Sequence, residues 1–182
     1  MEFKSGKFKE LVLYIAGRTM DDPGFGVTKM AKTLWLSDFR AFATLGEPIT
    51  GAEYQKLAYG PAARQYLPIF EEMVMQGDAA EAEQGIWDNP SRRVIALRKA
   101  ILEDFLPQEI SIIDATIEEI KKKSAREISD MSHHSIGWEF ADMSETIPYG
   151  TALIPRSKAL LSKSDIDYAL KVVIPQVEAA MD

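Results

Sequence analysis

The sequence predicts a predominantly helical α+β fold, a single domain in which a small antiparallel, hairpin-like β-sheet packs on a helical bundle. Two observations carry this. Apolar residues recur at three- and four-residue spacing in long stretches over residues 8–15, 30–42 and 110–120, the signature of helices with a buried face. Against them stand only two short β-prone runs, residues 54–59 and 93–97. With 182 residues and 46% hydrophobic content the chain is long enough for one well-buried core, so one domain over 1–182 is expected.

Phe8, Leu11, Val12 and Ile15 fall on one helical face, and Gly17 with Asp21-Asp22-Pro23-Gly24 ends that helix in turn chemistry. A second pattern opens at Val27-Thr28 and distributes Met30, Ala31, Leu34, Trp35, Leu36, Phe39, Ala41 and Phe42 around most of the circumference up to Gly46. A helix apolar on nearly all sides belongs at the centre of a fold. Pro48 and Gly51 mark a turn, residues 54–59 read as a short strand, and Gly60 bends the backbone before Pro61, which suits the first position of a third helix carrying Tyr66, Phe70 and Met73. Gly77-Asp78 opens an acidic, alanine-rich connection through Glu81, Glu83 and Asp88 to Asn89-Pro90, which reads as a surface loop. Residues 93–97 are then expected to pair with 54–59, as a hairpin with a long insertion.

Pro107 starts a strong helix with Ile110, Ile113, Ile117 and Ile120 inward and Lys121-Lys122-Lys123 at its cationic end. Ser124 with Glu127 forms the pattern of a reciprocal capping box for a helix to about His134, with Ile128 and Met131 inward. Ser164-Asp165 announces a last helix, about residues 164–180, that carries Ile166, Tyr168, Ala169 and Val173 before Pro175. The sequence shows no internal repeat and no low-complexity segment.

Composition narrows the function classes. A net charge of −7 argues against a protein whose main partner is the phosphate backbone, because that binding draws on clustered Lys and Arg. With no cysteine there is no disulfide framework, thiol nucleophile or thiolate metal site, which fits a cytoplasmic protein. The early apolar run, residues 11–16, is shorter than a secretory signal core, and no stretch approaches the length needed to span a bilayer.

The candidate chemistry is sparse. His133 and His134 are adjacent, so on a helix they point about 100° apart and do not share one metal ion. Glu127, Asp130 and His134 form a better constellation on one face, yet lack a further well-spaced ligand. The structural reading has one histidine bonding a carboxylate or carbonyl at its helix end and packing on Trp138, while the other is solvated. Ser132 and Ser135 neighbour the histidines without a nucleophile elbow. Gly24-Phe25-Gly26 lacks the rest of a phosphate loop and reads as a turn. Basic groups at 121–126, Arg92-Arg93 and Arg98-Lys99 could touch phosphates, and a hairpin beside helices resembles a winged helix, but no recognition helix rich in Arg, Asn or Gln accompanies them. Trp35 and Trp138 read as core. Trp87, beside Ile86 in the acidic loop, is either folded back or available to a partner.

Four blocks of residues together resemble the SocA-like antitoxins, which share the Panacea domain. Lys29-Met-Ala-Lys-Thr-Leu-Trp-Leu-Ser-Asp38 is similar to the family's Lys-x-x-Lys-x-Leu-Tyr-x-x-Asp helix, with Trp35 at the aromatic position. Gly46-Glu-Pro-Ile-Thr-Gly-Ala-Glu-Tyr54, running on to Ala58-Tyr-Gly-Pro61, resembles its most characteristic block. Ile128-Ser-Asp-Met-Ser-His133 with Trp138, and Ile147-Pro-Tyr149, resemble its later blocks. The blocks span residues 7–150, and one departure is Ala62, where the family usually has valine.

The resemblance implies an antitoxin of a bacterial or phage toxin–antitoxin pair, neutralising a toxin encoded nearby by direct protein–protein contact, without enzymatic activity, catalytic residue, cofactor or metal. Family members are known both as direct neutralisers and as adaptors delivering the toxin to a ClpXP-type protease. A DNA-binding autorepressor is the further alternative, and neither nucleic acid nor a membrane is the expected partner. The motif positions Asp38, Tyr54, Tyr59, Gly60, Pro61, His133, Trp138 and Tyr149 become the candidate binding residues, with Trp87 as a further partner contact. Each has a structural reading beside it: the residues from Tyr54 to Pro61 as holders of the hairpin, Asp38, His133 and Trp138 as ties between helices.

Overall fold

In the computed structural model, which describes residues 1–84, 91–154 and 163–181, the chain is a predominantly helical α+β protein with two separate two-stranded antiparallel sheets. Helix α1 spans Ser5–Arg18 and buries Phe8, Leu11, Val12 and Ile15. Helix α2, Val27–Leu45, is central: α1 and several later elements pack on it, and it buries Met30, Leu34, Trp35, Phe39 and Phe42. It stops at Gly46, whose φ of 87° is a left-handed cap, with the Gly46 N–H donating to the Phe42 carbonyl.

The strand pairing differs from the expected one. Strand β1, Tyr54–Gln55, pairs with β2, Ala62–Ala63, in the register Tyr54↔Ala63 and Gln55↔Ala62, and Gln55 also bridges to Thr146. Residues 54–59 therefore do not pair with 93–97. Closing a short local loop costs less chain entropy than joining segments across the third helix and the long insertion. Pro61 accordingly leads into β2, not into a helix, and helix α3, Tyr66–Met75, begins later with Phe70 and Met73 buried.

The acidic, alanine-rich stretch is likewise a strand up to Gln84. Strand β3, Ala79–Gln84, pairs with β4, Ser91–Ala96, from Ala79↔Ala96 to Gln84↔Ser91. Alanine and glutamate are poor strand formers, so its partner decides. Val94 is buried, Arg93 donates to the Thr19 carbonyl at 2.7 Å, and Arg92 lies 3.6 Å from Glu81. Ile86, Trp87 and Asp88 lie outside the described residues.

Helix α4, Pro107–Lys121, has Pro107 in its first turn and buries Ile113, Ile117 and Ile120. Helix α5, Ala125–His133, opens on the capping box: Glu127 N–H donates to Ser124 Oγ, and Ser124 N–H donates to Glu127 Oε2. Helix α6, Ile136–Phe140, follows, then a 3₁₀ turn at Tyr149–Leu153. The terminal helical run comprises α7, Lys163–Tyr168, a π-helical segment at Ala169–Val173, and α8, Ile174–Met181. The π segment lies just before Pro175, whose ring removes an amide donor from the ladder. Ile174 is buried against Gly150, where no β-carbon would fit.

Candidate functional site: the clamped hairpin loop

The eight motif residues divide into a buried hub and a surface loop. The hub is Asp38, fully buried on α2. Its carboxylate accepts from Thr50 N–H at 2.7 Å, Thr50 Oγ1 at 2.5 Å and Tyr54 Oη at 2.8 Å, and Tyr149 Oη lies 3.4 Å away while donating to the Ala52 carbonyl at 2.6 Å. Desolvation pushes Asp38 above the usual carboxylate range although these donors pull it down, and desolvation with the nearby carboxylate raises both tyrosines. Phe39 packs on both tyrosine rings. The hub ties α2, β1 and the 3₁₀ turn together and offers no open surface.

The loop between β1 and β2 is held from beneath at three alternate carbonyls. Trp138 Nε1 donates to Leu57 O at 3.0 Å, Ser129 Oγ to Tyr59 O at 3.0 Å, and Lys32 Nζ to Pro61 O at 2.8 Å. These donors come from α6, α5 and α2. Gly60 has φ 99°, and a β-carbon there would overlap Ser132 Oγ and Lys32 Nζ, so only glycine lets the loop settle onto its clamps. The tryptophan is fixed in turn: His133 stacks on it at 4.0 Å between centroids, and Lys56 Nζ sits 4.3 Å from its ring while donating to Ala141 O. His133 Nε2 is buried and has no hydrogen-bond partner among the described residues.

On this base Tyr59 is presented outward, 77% exposed. Leu57 and Met143 are exposed too, and the 141–146 segment is strapped to the hairpin. Lys56 N–H donates to Glu145 O, Ser144 N–H to Lys56 O, Arg64 to Ser144 O, and Thr146 Oγ1 to Glu53. Thus Tyr59, Gly60, Pro61, His133 and Trp138 meet at one site, Asp38, Tyr54 and Tyr149 support it from the core, and Trp87 is outside the described residues. Sequence reasoning missed Lys32, Ser129, Lys56 and Met143 as parts of it. Lys32 left a signal as the second lysine of the Lys-x-x-Lys motif helix, and Ser129 lies inside the Ile128–His133 block, but neither was carried forward as a binding residue.

The other polar groups singled out in the sequence are engaged within the fold. Lys32 and Ser132 converge beneath Gly60 with the composition of a base and a nucleophile, but both are buried and Ser132 donates to Ser129 O. Glu127 serves the capping box, and His134 Nδ1 lies 2.6 Å from the carbonyl oxygen of Asp130. Among the described residues no cluster of potential ligands could hold a metal ion, and no helix is long and apolar enough to cross a membrane. A cleft of about 360 Å³ beside α2 is lined by Trp35, Phe39, Met131, Ile136 and Ile147, with Arg40 and Glu119 paired at 2.5 Å. Several cations of the basic runs are taken up internally: Arg98 by Glu10 and Asp78, Lys121 by Asp21, and Lys123 by Glu119.

A family model described as antitoxin SocA-like, Panacea domain, matches residues 30–139, more than half of the chain and the span that contains most of α2, the hairpin loop and α5. Comparison with curated proteins and with solved structures gives no match.

Proposed function

This chain belongs to the SocA-like antitoxin family defined by the Panacea domain, and from that premise we propose that it neutralises a cognate toxin by direct contact through the Tyr59 loop. Supporting this reading is one observation: an exposed aromatic at the tip of a loop whose carbonyls at 57, 59 and 61 are each held from a different helix. Tyrosine is a preferred interface anchor. A loop ordered before binding loses little further entropy on association. Leu57 and Met143 extend the apolar centre, and Lys56, Arg64, Asp142 and Glu145 supply a polar rim.

The enclosed Ser132 and Lys32 and the internally paired cations favour binding of a protein over catalysis or phosphate contact. The test is co-expression of the chain with the toxin encoded beside it, scoring growth rescue and capturing the complex. Rescue with a stoichiometric complex, lost in Tyr59→Ala at an unchanged melting temperature, supports direct neutralisation through this loop. Rescue without a stable complex points to the protease-adaptor reading, and a complex indifferent to Tyr59→Ala moves the interface elsewhere.

A further inference from the structure

Strand β3 presents an unpaired edge. The bond from Leu97 N–H to Asp78 O at 2.9 Å adds a bonded rung next to Ala79↔Ala96. Bonded and non-bonded rungs alternate in an antiparallel pair, so the rungs at 80/95 and 82/93 carry the hydrogen bonds. The N–H and C=O groups of Ala79, Glu81 and Glu83 therefore point away from β4, and none of them has a hydrogen-bond partner among the described residues. We propose that this edge is a strand-addition site: it takes an extended segment of a partner protein in which basic and apolar residues alternate.

The neighbouring strands differ. β1 is bridged on its far side by Gln55↔Thr146, α2 packs on β2, and α1 and α2 pack on β4, while β3 packs on β4 and α3. The Tyr66 hydroxyl, at the start of α3, lies in the fields of both Glu81 and Arg92, which share one face of the hairpin. Helix α3 thus covers that face, not the edge. An unpaired edge is ordinarily guarded by a lysine, a proline or a bulge. β3 has none of the three, and its 6 residues pair in unbroken register.

It carries Glu81 and Glu83 instead, both exposed and on one face. Glu81 meets Arg92 only at 3.6 Å, and Glu83 makes no ion pair among the described residues. The occupant follows from these charges. A second copy of the chain pairing edge to edge would set carboxylates opposite carboxylates, which opposes self-association. A strand with Lys or Arg at alternate positions meets them with opposite charge. On the other face Ala80, Ala82 and Ile95 are half-buried, which suits apolar side chains at the intervening positions. Main-chain bonds supply affinity in such pairing, and alternate side chains supply selectivity.

This site lies on a different element from the Tyr59 loop, and it rests on the protein-binding reading only for the natural source of the strand. The experiment is an NMR titration of the full chain, near neutral pH and at low salt, with a short acetylated and amidated peptide that alternates lysine and valine. A glutamate–valine peptide of the same length and a lysine–valine peptide N-methylated along one edge are titrated beside it. Expected are saturable shifts and slowed exchange of the Ala79, Glu81 and Glu83 amides, with the hub amides of Thr50 and Tyr54 unmoved. Affinity should fall about tenfold or more for the glutamate–valine peptide and for the N-methylated one, and Glu81→Lys/Glu83→Lys should invert the order of the two charged peptides. β3 amides that do not move, equal affinity for the lysine and glutamate peptides, or undiminished binding after N-methylation would overturn the site. The three peptides decide the matter on the wild-type chain even where the double variant does not fold. A failed toxin rescue beside pairing at β3 removes the antitoxin reading and leaves the strand site, whereas rescue beside a silent β3 removes only the strand site.

Discussion

Asp38 and Lys32 are two buried charges less than two turns apart on helix α2, and the chain surrounds them in opposite ways. Asp38 collects donors from the Thr50 backbone, the Thr50 hydroxyl and Tyr54, so its lone pairs are satisfied and the network locks three elements together. Lys32 has three N–H donors and, among the described residues, one carbonyl to meet them. A fully satisfied buried charge makes scaffold, whereas a partly satisfied one carries a desolvation cost that its contacts offset only in part. The same contrast separates the surfaces above them, since Tyr54 and Tyr149 are sealed over the hub and Tyr59 stands exposed over the lysine.

The contrast breaks first at Asp38. Removing the acceptor in Asp38→Ala leaves the Thr50 N–H and the Tyr54 hydroxyl buried and unpaired, so urea denaturation is expected to show a loss of about 3–5 kcal/mol. Asp38→Asn keeps one carbonyl oxygen but turns an amide toward a donor, and should fall below that. A loss under about 1 kcal/mol for Asp38→Ala would mean that the hub does not organise the fold.

Gly60→Ala comes next. A left-handed φ together with overlap on Ser132 Oγ and Lys32 Nζ is expected to cost about 2–3 kcal/mol, and it should displace Lys32 from Pro61 O. Denaturation combined with the Lys32 NMR signal reads both effects, and an alanine that fits without disturbing the lysine signal would contradict the close approach. Trp138→Phe keeps an aromatic ring, smaller than the indole, against His133 and removes the donor to Leu57 O. About 1 kcal/mol is expected in the same denaturation assay, with faster exchange of loop amides and little change in the hub.

The smallest expected stability effect belongs to Tyr59→Ala, within about 0.5 kcal/mol because the side chain is exposed. Its effect on toxin affinity should instead reach about 2 kcal/mol if the residue is an anchor, measured by calorimetric titration of the purified toxin. Loss of stability without loss of affinity would turn Tyr59 into scaffold and erase the difference between the two tyrosine groups.

What was legible in the sequence was local. Helices α1, α2 and α4 follow from apolar spacing, the Ser124 and Glu127 capping box formed as read, and Gly46 ends α2 because a left-handed residue must stand there. Asp38 could be named as a motif position, but nothing in its neighbours shows that Thr50 and Tyr54 would close over it. The histidine reading gave one ring both the helix-end carbonyl and the packing on Trp138, whereas the structure divides them: the exposed His134 meets the Asp130 carbonyl and His133 packs on Trp138.

Secondary-structure periods and caps depend on contacts within a few residues, and the chain by itself determined those, together with the acidic, cysteine-free character that bounds its chemistry. Strand partners were decided by packing: residues 54–59 and 93–97 each had more than one possible mate, and loop closure assigned them to Ala62–Ala63 and Ala79–Gln84. Packing also decided that Lys32 is buried. A lysine on a helix is normally solvated, and Lys32 is enclosed only because Gly60, Pro61 and Ser132, distant in sequence, close over it, which no local pattern can encode.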